Sequence, residues 1–194
     1  MAEEDPGVPA EPYVDEAAKR RRIEGFIQLL HSEYLDYRWK AALALGEEGD
    51  NTAVEPLIEA LNDPYVDVSW LAAKSLGAIG DSRAVKPLLK ALESDEKWLK
   101  IGASIGLGKL GDRRAVQPLL ALLKNKDALI RKNAAWALGK IGDEAARSAL
   151  EELRNDPDNR VKTAVEVALH LLATKTECRE TGNTDPGCGE GERH

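Results

Sequence analysis

The 194-residue chain has few aromatics, 5% in all with four Trp, four Tyr and one Phe, and only one Met, three His and two Cys. Both cysteines, Cys178 and Cys188, stand near the C-terminal end, so no disulfide can staple the bulk of the chain, and a reducing compartment is compatible with that. No run approaches the ~20 consecutive apolar residues that a spanning helix needs, and the start lacks the basic-then-apolar order of a secretory signal. A cytoplasmic location is the expectation. Also missing are a glycine loop able to cradle phosphates and any Ser-His-Asp arrangement arguable from spacing. What remains is a 43% hydrophobic chain in which Ala and Leu dominate, a composition suited to closely packed helices.

Glycine is distributed with a strict period. Gly49, Gly80, Gly111 and Gly142 are each followed by an aspartate, and a second ladder runs through Gly46, Gly77, Gly108 and Gly139. The repeat is 31 residues without insertion. Such a period means that each unit packs mainly on its neighbours and buries a face it could not bury alone. Units fall at about 19 to 49, 50 to 80, 81 to 111, 112 to 142 and 143 to 173. Residues 1–14, with Pro6, Pro9 and Pro12 and little apolar content, are expected to be a disordered arm, and Asp15 offers an N-cap to the first helix. Residues 15–173 then form the repeat domain, and residues 174–194, rich in Gly, Thr and Glu, are expected to be a disordered tail.

Each central unit opens with Asp50, Asp81 or Asp112, then an Ala-Val pair, then Pro56, Pro87 or Pro118. Apolar residues at helical spacing come next, so the proline should lie in the first turn of a first helix, where its missing N–H costs nothing. After a short polar turn comes a second helix with inward positions Val68, Ala72, Ala73, Leu76 and Ile79, matched one period on by Leu99, Ala103, Ser104, Leu107 and Leu110, and again by Ile130, Ala134, Ala135, Leu138 and Ile141. The glycines at each unit's end break that helix and supply the next turn. The outer units depart as caps: Gly25 stands where the proline would be, and His170 and Glu166 replace a glycine and an alanine in the last helix, which should run on. Terminal repeats need such polarity.

The segments Lys74-Ser75-Leu76-Gly77-Ala78-Ile79-Gly80-Asp81 and Ala135-Trp136-Ala137-Leu138-Gly139-Lys140-Ile141-Gly142-Asp143 resemble the short HEAT repeats named after phycobilisome lyases. The resemblance covers roughly residues 19 to 173. It implies an all-α, right-handed α-solenoid of about five HEAT-like helix pairs whose second helices line the concave face. Ankyrin and tetratricopeptide units have similar lengths, but their signatures are absent.

Positions of the second helices not needed for the core form columns. One holds Trp39, Trp70, Ile101 and Lys132, a second Leu43, Lys74, Ile105 and Trp136, and a third Asp36, Asp67, Trp98 and Leu129. All four tryptophans thus fall in predicted surface columns, where a continuous apolar and aromatic strip is expected; the competing reading makes them filler between units. Exposed apolar patches with Trp anchors mark interaction sites. The candidate partner-binding residues are Trp39, Trp70, Leu71, Lys74, Trp98, Ile101, Ile105, Lys109, Leu129, Trp136 and Lys140, with Lys74, Lys109 and Lys140 steering. Gly102 and Gly106 stand four apart in one second helix, which close approach by a ligand or a neighbouring helix would justify.

The formal charge of −7 lies in the ends: residues 1–15 carry five acids and no base, residues 174–194 five acids against three bases, leaving 24 of each sign between. Within this neutral array the second helices carry eleven Lys or Arg against four acids. Four of these bases, Arg38, Lys100, Arg131 and Lys162, share one column and are candidates to bridge adjacent repeats. The remaining excess favours an acidic protein partner and helps encounter more than affinity. A basic groove with interleaved aromatics could also follow a nucleic-acid backbone, and the run Lys19-Arg20-Arg21-Arg22 is ambiguous in the same way.

Enzymes exist among the proteins the chain resembles. Deoxyhypusine hydroxylases carry metal on repeated His-Glu pairs, but here His31 precedes Ser32 and His170 precedes Leu171. Cys178, Cys188 and His194 have spacing too loose for a metal motif. Phycobilin lyases bind a chromophore and transfer it to a carrier, usually with a second subunit, and no bilin site is recognisable. The expectation is a non-catalytic protein-interaction scaffold with no cofactor, no metal and no membrane. A nucleic-acid binder and a lyase-type or metal-dependent accessory enzyme stay open as alternatives.

Overall fold

The structure, a computed structural model, describes residues 15–181, with side chains to residue 175. Within them the chain forms ten α-helices and no strand. α1 (Glu16–Leu29) and α2 (Leu35–Glu48) make the first pair, followed by α3 (Val54–Ala60) with α4 (Val66–Ile79), α5 (Val85–Ala91) with α6 (Lys97–Leu110), α7 (Val116–Leu122) with α8 (Ala128–Ile141), and α9 (Arg147–Glu152) with α10 (Asn159–Thr181).

The repeated Asp and Gly set the boundaries of every pair. Gly49, Gly80, Gly111 and Gly142 adopt left-handed φ values of 67° to 83°, where a side chain would be strained, and each amide closes the helix on a carbonyl four residues earlier. The aspartate after each glycine then caps one turn of 3₁₀ helix: Asp50, Asp81, Asp112 and Asp143 accept from the backbone N–H two residues on, at 2.8–3.0 Å. Pro56, Pro87 and Pro118 sit at the third residue of α3, α5 and α7, in the first turn as the spacing requires. Asp15 caps α1 through the amides of Ala17 and Ala18.

Two leucine columns run the length of the array. Leu45, Leu76, Leu107 and Leu138 come from second helices and Leu57, Leu88, Leu119 and Leu150 from first helices, all with no exposed surface. Each contributes about 1.5–3 kcal/mol by burial. The second helices pack on one another in sequence, whereas each first helix packs chiefly on its own second helix. A gap of about 670 Å³ opens between α3 and α5, lined by Ile58, Leu61, Lys86 and Lys90 among others. An array that is tight on one layer and splayed on the other curves toward the tight one, so the second helices form the concave face.

The other glycine ladder allows that tightness. A Cβ on Gly77 would collide with the Cα of Gly106 and lie 2.6 Å from its carbonyl oxygen; one on Gly108 would lie 2.8 Å from the Cα of Ala137. Gly46 faces Ser75 and Gly139 faces Ala168 in the same way, so a ladder of glycines meets a ladder of small residues one period later. Gly102 and Gly106 are explained by the same contact with α4: their Cβ positions fall 2.7 Å from the carbonyl oxygen of Trp70 and 2.5 Å from that of Ala73. At the C-terminal end no further helix comes after α10 among the described residues, and His170 occupies the glycine position exposed.

Ion pairs tie successive units. Arg38 meets Asp63 at 2.8 Å and Arg131 meets Asp156 at 2.7 Å, each arginine also donating to backbone carbonyls of its own turn. Two of the four bases assigned to a bridging column thus bridge adjacent repeats. α10 differs from the expected boundary, running to Thr181 where the sequence placed a tail from residue 174. The period puts Ala173 where Gly142 stands one unit earlier, so no left-handed glycine stops the helix.

Candidate functional site

The exposed surface of the second helices is divided rather than continuous. On α2, Trp39 is half-buried and its indole N–H donates to Asp36 at 3.3 Å. Trp70 of α4 and Trp98 of α6 meet edge to face, centroids 6.5 Å apart. The indole N–H of Trp70 is buried without an acceptor, while Trp98 is the most exposed tryptophan, at 46%. Ile101 and Leu71, both expected on the surface, are buried, with 4% and 7% exposure. The reason is local: α4 and α6 close together at Gly102, where a Cβ would lie 2.7 Å from the carbonyl oxygen of Trp70. These two residues therefore leave the candidate binding set, and the expected strip is broken between α4 and α6.

A groove of about 480 Å³ runs across α6, α8 and α10. Ile105, Trp136, Ala164 and Val167 give it an apolar floor, with Lys109, Lys132 and Arg160 among its polar lining. Trp136 reaches back over α6, where a Cβ on Gly108 would sit 2.9 Å from the indole Cζ3; the glycine thus makes room for the ring. Val167 is 47% exposed. Among the candidates, Ile105, Lys109 and Trp136 are brought together here, whereas Leu129 and Lys140 lie beside the groove on α8. Asn133, Thr163, Ala164 and Val167 were missed by the sequence reading. Two of them could have been found by extending the surface columns one further period, from Lys132 to Thr163 and from Trp136 to Val167.

Lysine accompanies every tryptophan. The ammonium groups of Lys40, Lys74, Lys97 and Lys140 stand 4.8–5.9 Å from the ring centroids of Trp39, Trp70, Trp98 and Trp136 respectively. Such contacts contribute about 0.5–1 kcal/mol at exposed sites. Lys97 is also held by Asp127 at 2.7 Å, and Arg160 by Asp158 at 2.6 Å. The Arg160 guanidinium holds the Asp158 carboxyl down to about 2. Charge is graded along the face: Asp36, Glu47 and Asp67 are exposed with Lys40 at the α2–α4 end, while Lys109 and Lys140 are exposed at the α6–α8 end. Among the described residues, no group of three or more His, Cys, Asp or Glu is placed to hold a metal ion. Cys188 and His194 lie outside the described residues, and the side chain of Cys178 is likewise undescribed. No helix among the described residues is long and apolar enough to cross a membrane.

A curved, all-helical array of pairs with a 31-residue period is an α-solenoid repeat protein. HEAT repeats are matched over residues 23–104 and 85–170, and the chain belongs to that family. No curated protein sequence matches it. Among solved structures, the complex of CpcE and CpcF of phycocyanin lyase from Nostoc sp. PCC7120 is similar with a TM-score of 0.70 and 25% identity, over 95% of this chain and 76% of that one. An engineered protein gives a TM-score of 0.60 at 23% identity, over 83% of this chain and 85% of that one. A designed armadillo repeat protein in complex with the peptide (KR)4 gives 0.59 at 18%, over 80% and 86%. The last two likenesses concern the fold.

Proposed function

We propose that the chain is a non-catalytic scaffold that holds a protein partner on its concave face, in the groove across α6, α8 and α10. The observation that carries this reading is the groove itself: an apolar floor of Ile105, Trp136 and Val167 edged by Lys109, Lys132 and Arg160, with Lys140 beside it. An aromatic anchor beside aliphatic surface with charges at its rim has the anatomy of an interaction hot spot. The partner surface it suits is acidic with one apolar side chain to insert. Lysines at the rim speed encounter and select against basic surfaces. Trp98, exposed on α6 beside Trp70, is a second contact point on the same face.

The reading is tested by truncating the anchor. Trp136→Ala should lower partner capture from native lysate at least tenfold while the far-ultraviolet circular dichroism stays that of the parent. Undiminished capture by a folded Trp136→Ala protein overturns the assignment of the groove. A second reading is supported by the likeness to the CpcE–CpcF complex at 25% identity over nearly the whole chain: one half of a two-subunit lyase. In that case the captured partner would itself be a helical-repeat chain, and the purified pair would take up a visible chromophore.

A further inference from the structure

The lining of the groove fixes the shape of what fills it. Ile105, Trp136 and Val167 follow one another at intervals of 31 residues, so they stand at one level on α6, α8 and α10, and the apolar floor crosses those helices instead of following one of them. The second helices pack in step. Gly106 of α6 lies against both Ala73 and Gly77 of α4, two residues to either side of the position one period before it. With neighbouring packed helices about 8–10 Å apart, the floor is roughly 16–20 Å long. It ends on both sides: one period before Ile105 the column holds Lys74, whose ammonium lies over the Trp70 ring, and no helix follows α10 among the described residues.

Each bank of the floor carries a lysine. Lys109 follows Ile105 by four residues on α6, and Lys132 precedes Trp136 by four on α8, so each shares a helix face with its floor residue and stands about 6 Å to one side or the other. The banks are therefore about 12 Å apart. Neither lysine is in an ion pair among the described residues, Arg160 is already held by Asp158, and the lining contains no acidic residue. An α-helix with its side chains is about 10–12 Å across and fills that width. A single extended chain, about 5 Å wide, would leave one bank untouched. A helix also pairs its own backbone groups above an apolar floor, where an extended segment would leave them unmet.

We propose that the groove takes an acidic amphipathic α-helix of the partner protein, laid along the array across α6, α8 and α10, with its apolar stripe on Ile105, Trp136 and Val167 and carboxylates on both flanks of that stripe reaching Lys109 and Lys132. This rests on reading the groove as the partner's site. At about 1.5 Å per residue the floor accommodates roughly 11–13 residues of helix. The partner segment therefore repeats apolar residues three and four apart over about three turns, with Asp or Glu to either side of them.

The test is fluorescence anisotropy of the full chain with a fluorescein-labelled peptide of about 14 residues, Leu at every third or fourth position, Glu on both flanks of the Leu stripe and Ala elsewhere. A second peptide replaces one central Ala by Pro, which breaks the helix and leaves the charge unchanged. The helical peptide should bind about tenfold more tightly than the Pro peptide, and Trp136→Ala should weaken it about tenfold. Lys109→Glu and Lys132→Glu, on opposite banks, and Ile105→Ala and Val167→Glu, at opposite ends of the floor, should each weaken it about threefold or more, with circular dichroism confirming that every variant is folded. Equal binding of the two peptides overturns the helix and leaves the groove reading standing. An effect of only one bank, or of only one end of the floor, overturns the seating along the array. No binding of the helical peptide overturns the proposal, while capture of the native partner, and its loss in Trp136→Ala, still decides the groove reading separately. Binding that a folded Trp136→Ala protein retains in full overturns both.

Discussion

Gly77→Ala measures how closely the second helices approach. In an ordinary helix interior the change would stabilise by about 1 kcal/mol, because alanine loses less backbone freedom on folding. At Gly77 the new methyl would meet the Cα of Gly106, its carbonyl oxygen at 2.6 Å and its carbonyl carbon at 2.8 Å. These are backbone atoms of α6, which cannot swing aside as a side chain could. Relief requires α4 and α6 to separate, and overpacking of this kind costs up to about 3 kcal/mol. The net expectation is a loss of about 2 kcal/mol, or roughly 4–8 °C in the thermal midpoint for an array of this size. The internal control is Gly25→Ala in α1, where nothing lies within 4 Å of the added Cβ; there the change should stabilise by ~0.5–1 kcal/mol. Thermal melts and urea titrations of both variants decide the matter. If Gly77→Ala stabilised as much as Gly25→Ala, the close second-helix layer, and with it the curvature assigned to the array, would be refuted.

Asp156→Ala should destabilise by about 3 kcal/mol in urea titration, because it strands the largely buried Arg131 guanidinium without its carboxylate; a change below about 0.5 kcal/mol, the size usual for surface substitutions, would mean that the pair is solvated. Asp50, Asp81, Asp112, Asp127, Asp156 and Asp158 all have carboxyls held below their ordinary range by hydrogen bonds in the fold. Folded-state values depressed below the unfolded ones mean stability that is fully present above about pH 4 and is lost as pH falls toward about 2, where Asp158 titrates; a thermal midpoint unchanged between about pH 4 and about pH 2 would contradict this. Trp70→Phe removes a buried indole N–H that has no acceptor, so it should cost less than about 1 kcal/mol against about 3 for Trp70→Ala, as read from the denaturation midpoints.

The period made the architecture legible because each unit repeats one set of contacts. Asp50 and its equivalents, the first-turn prolines and the αL glycines obey local rules that act within a few residues. The second glycine ladder was visible as a pattern, but its purpose was not, since the small residues it meets come from the next unit. The surface columns failed where one unit departs from the rest: Gly102 stands where the preceding unit has Leu71, the α4–α6 seam tightens, and Ile101 goes under. The groove was half legible. Ile105, Lys109 and Trp136 were recognisable as surface candidates, while Thr163 and Val167 belong to a last repeat that reads as a cap, although its second helix completes the concave face. That each lysine stands over a tryptophan ring could not be read from the columns, because the pairs join residues in different columns.

The central claim is that a protein partner sits on the concave face, and cross-linking mass spectrometry of the captured complex tests it most directly. Lys109, Lys132 and Lys140 report on the groove, and Lys86, Lys90 and Lys124 report on the first-helix side. Partner cross-links to the first three are predicted, lost together with capture in Trp136→Ala. Cross-links confined to Lys86, Lys90 and Lys124, with the groove lysines unmodified by the partner, would contradict the claim.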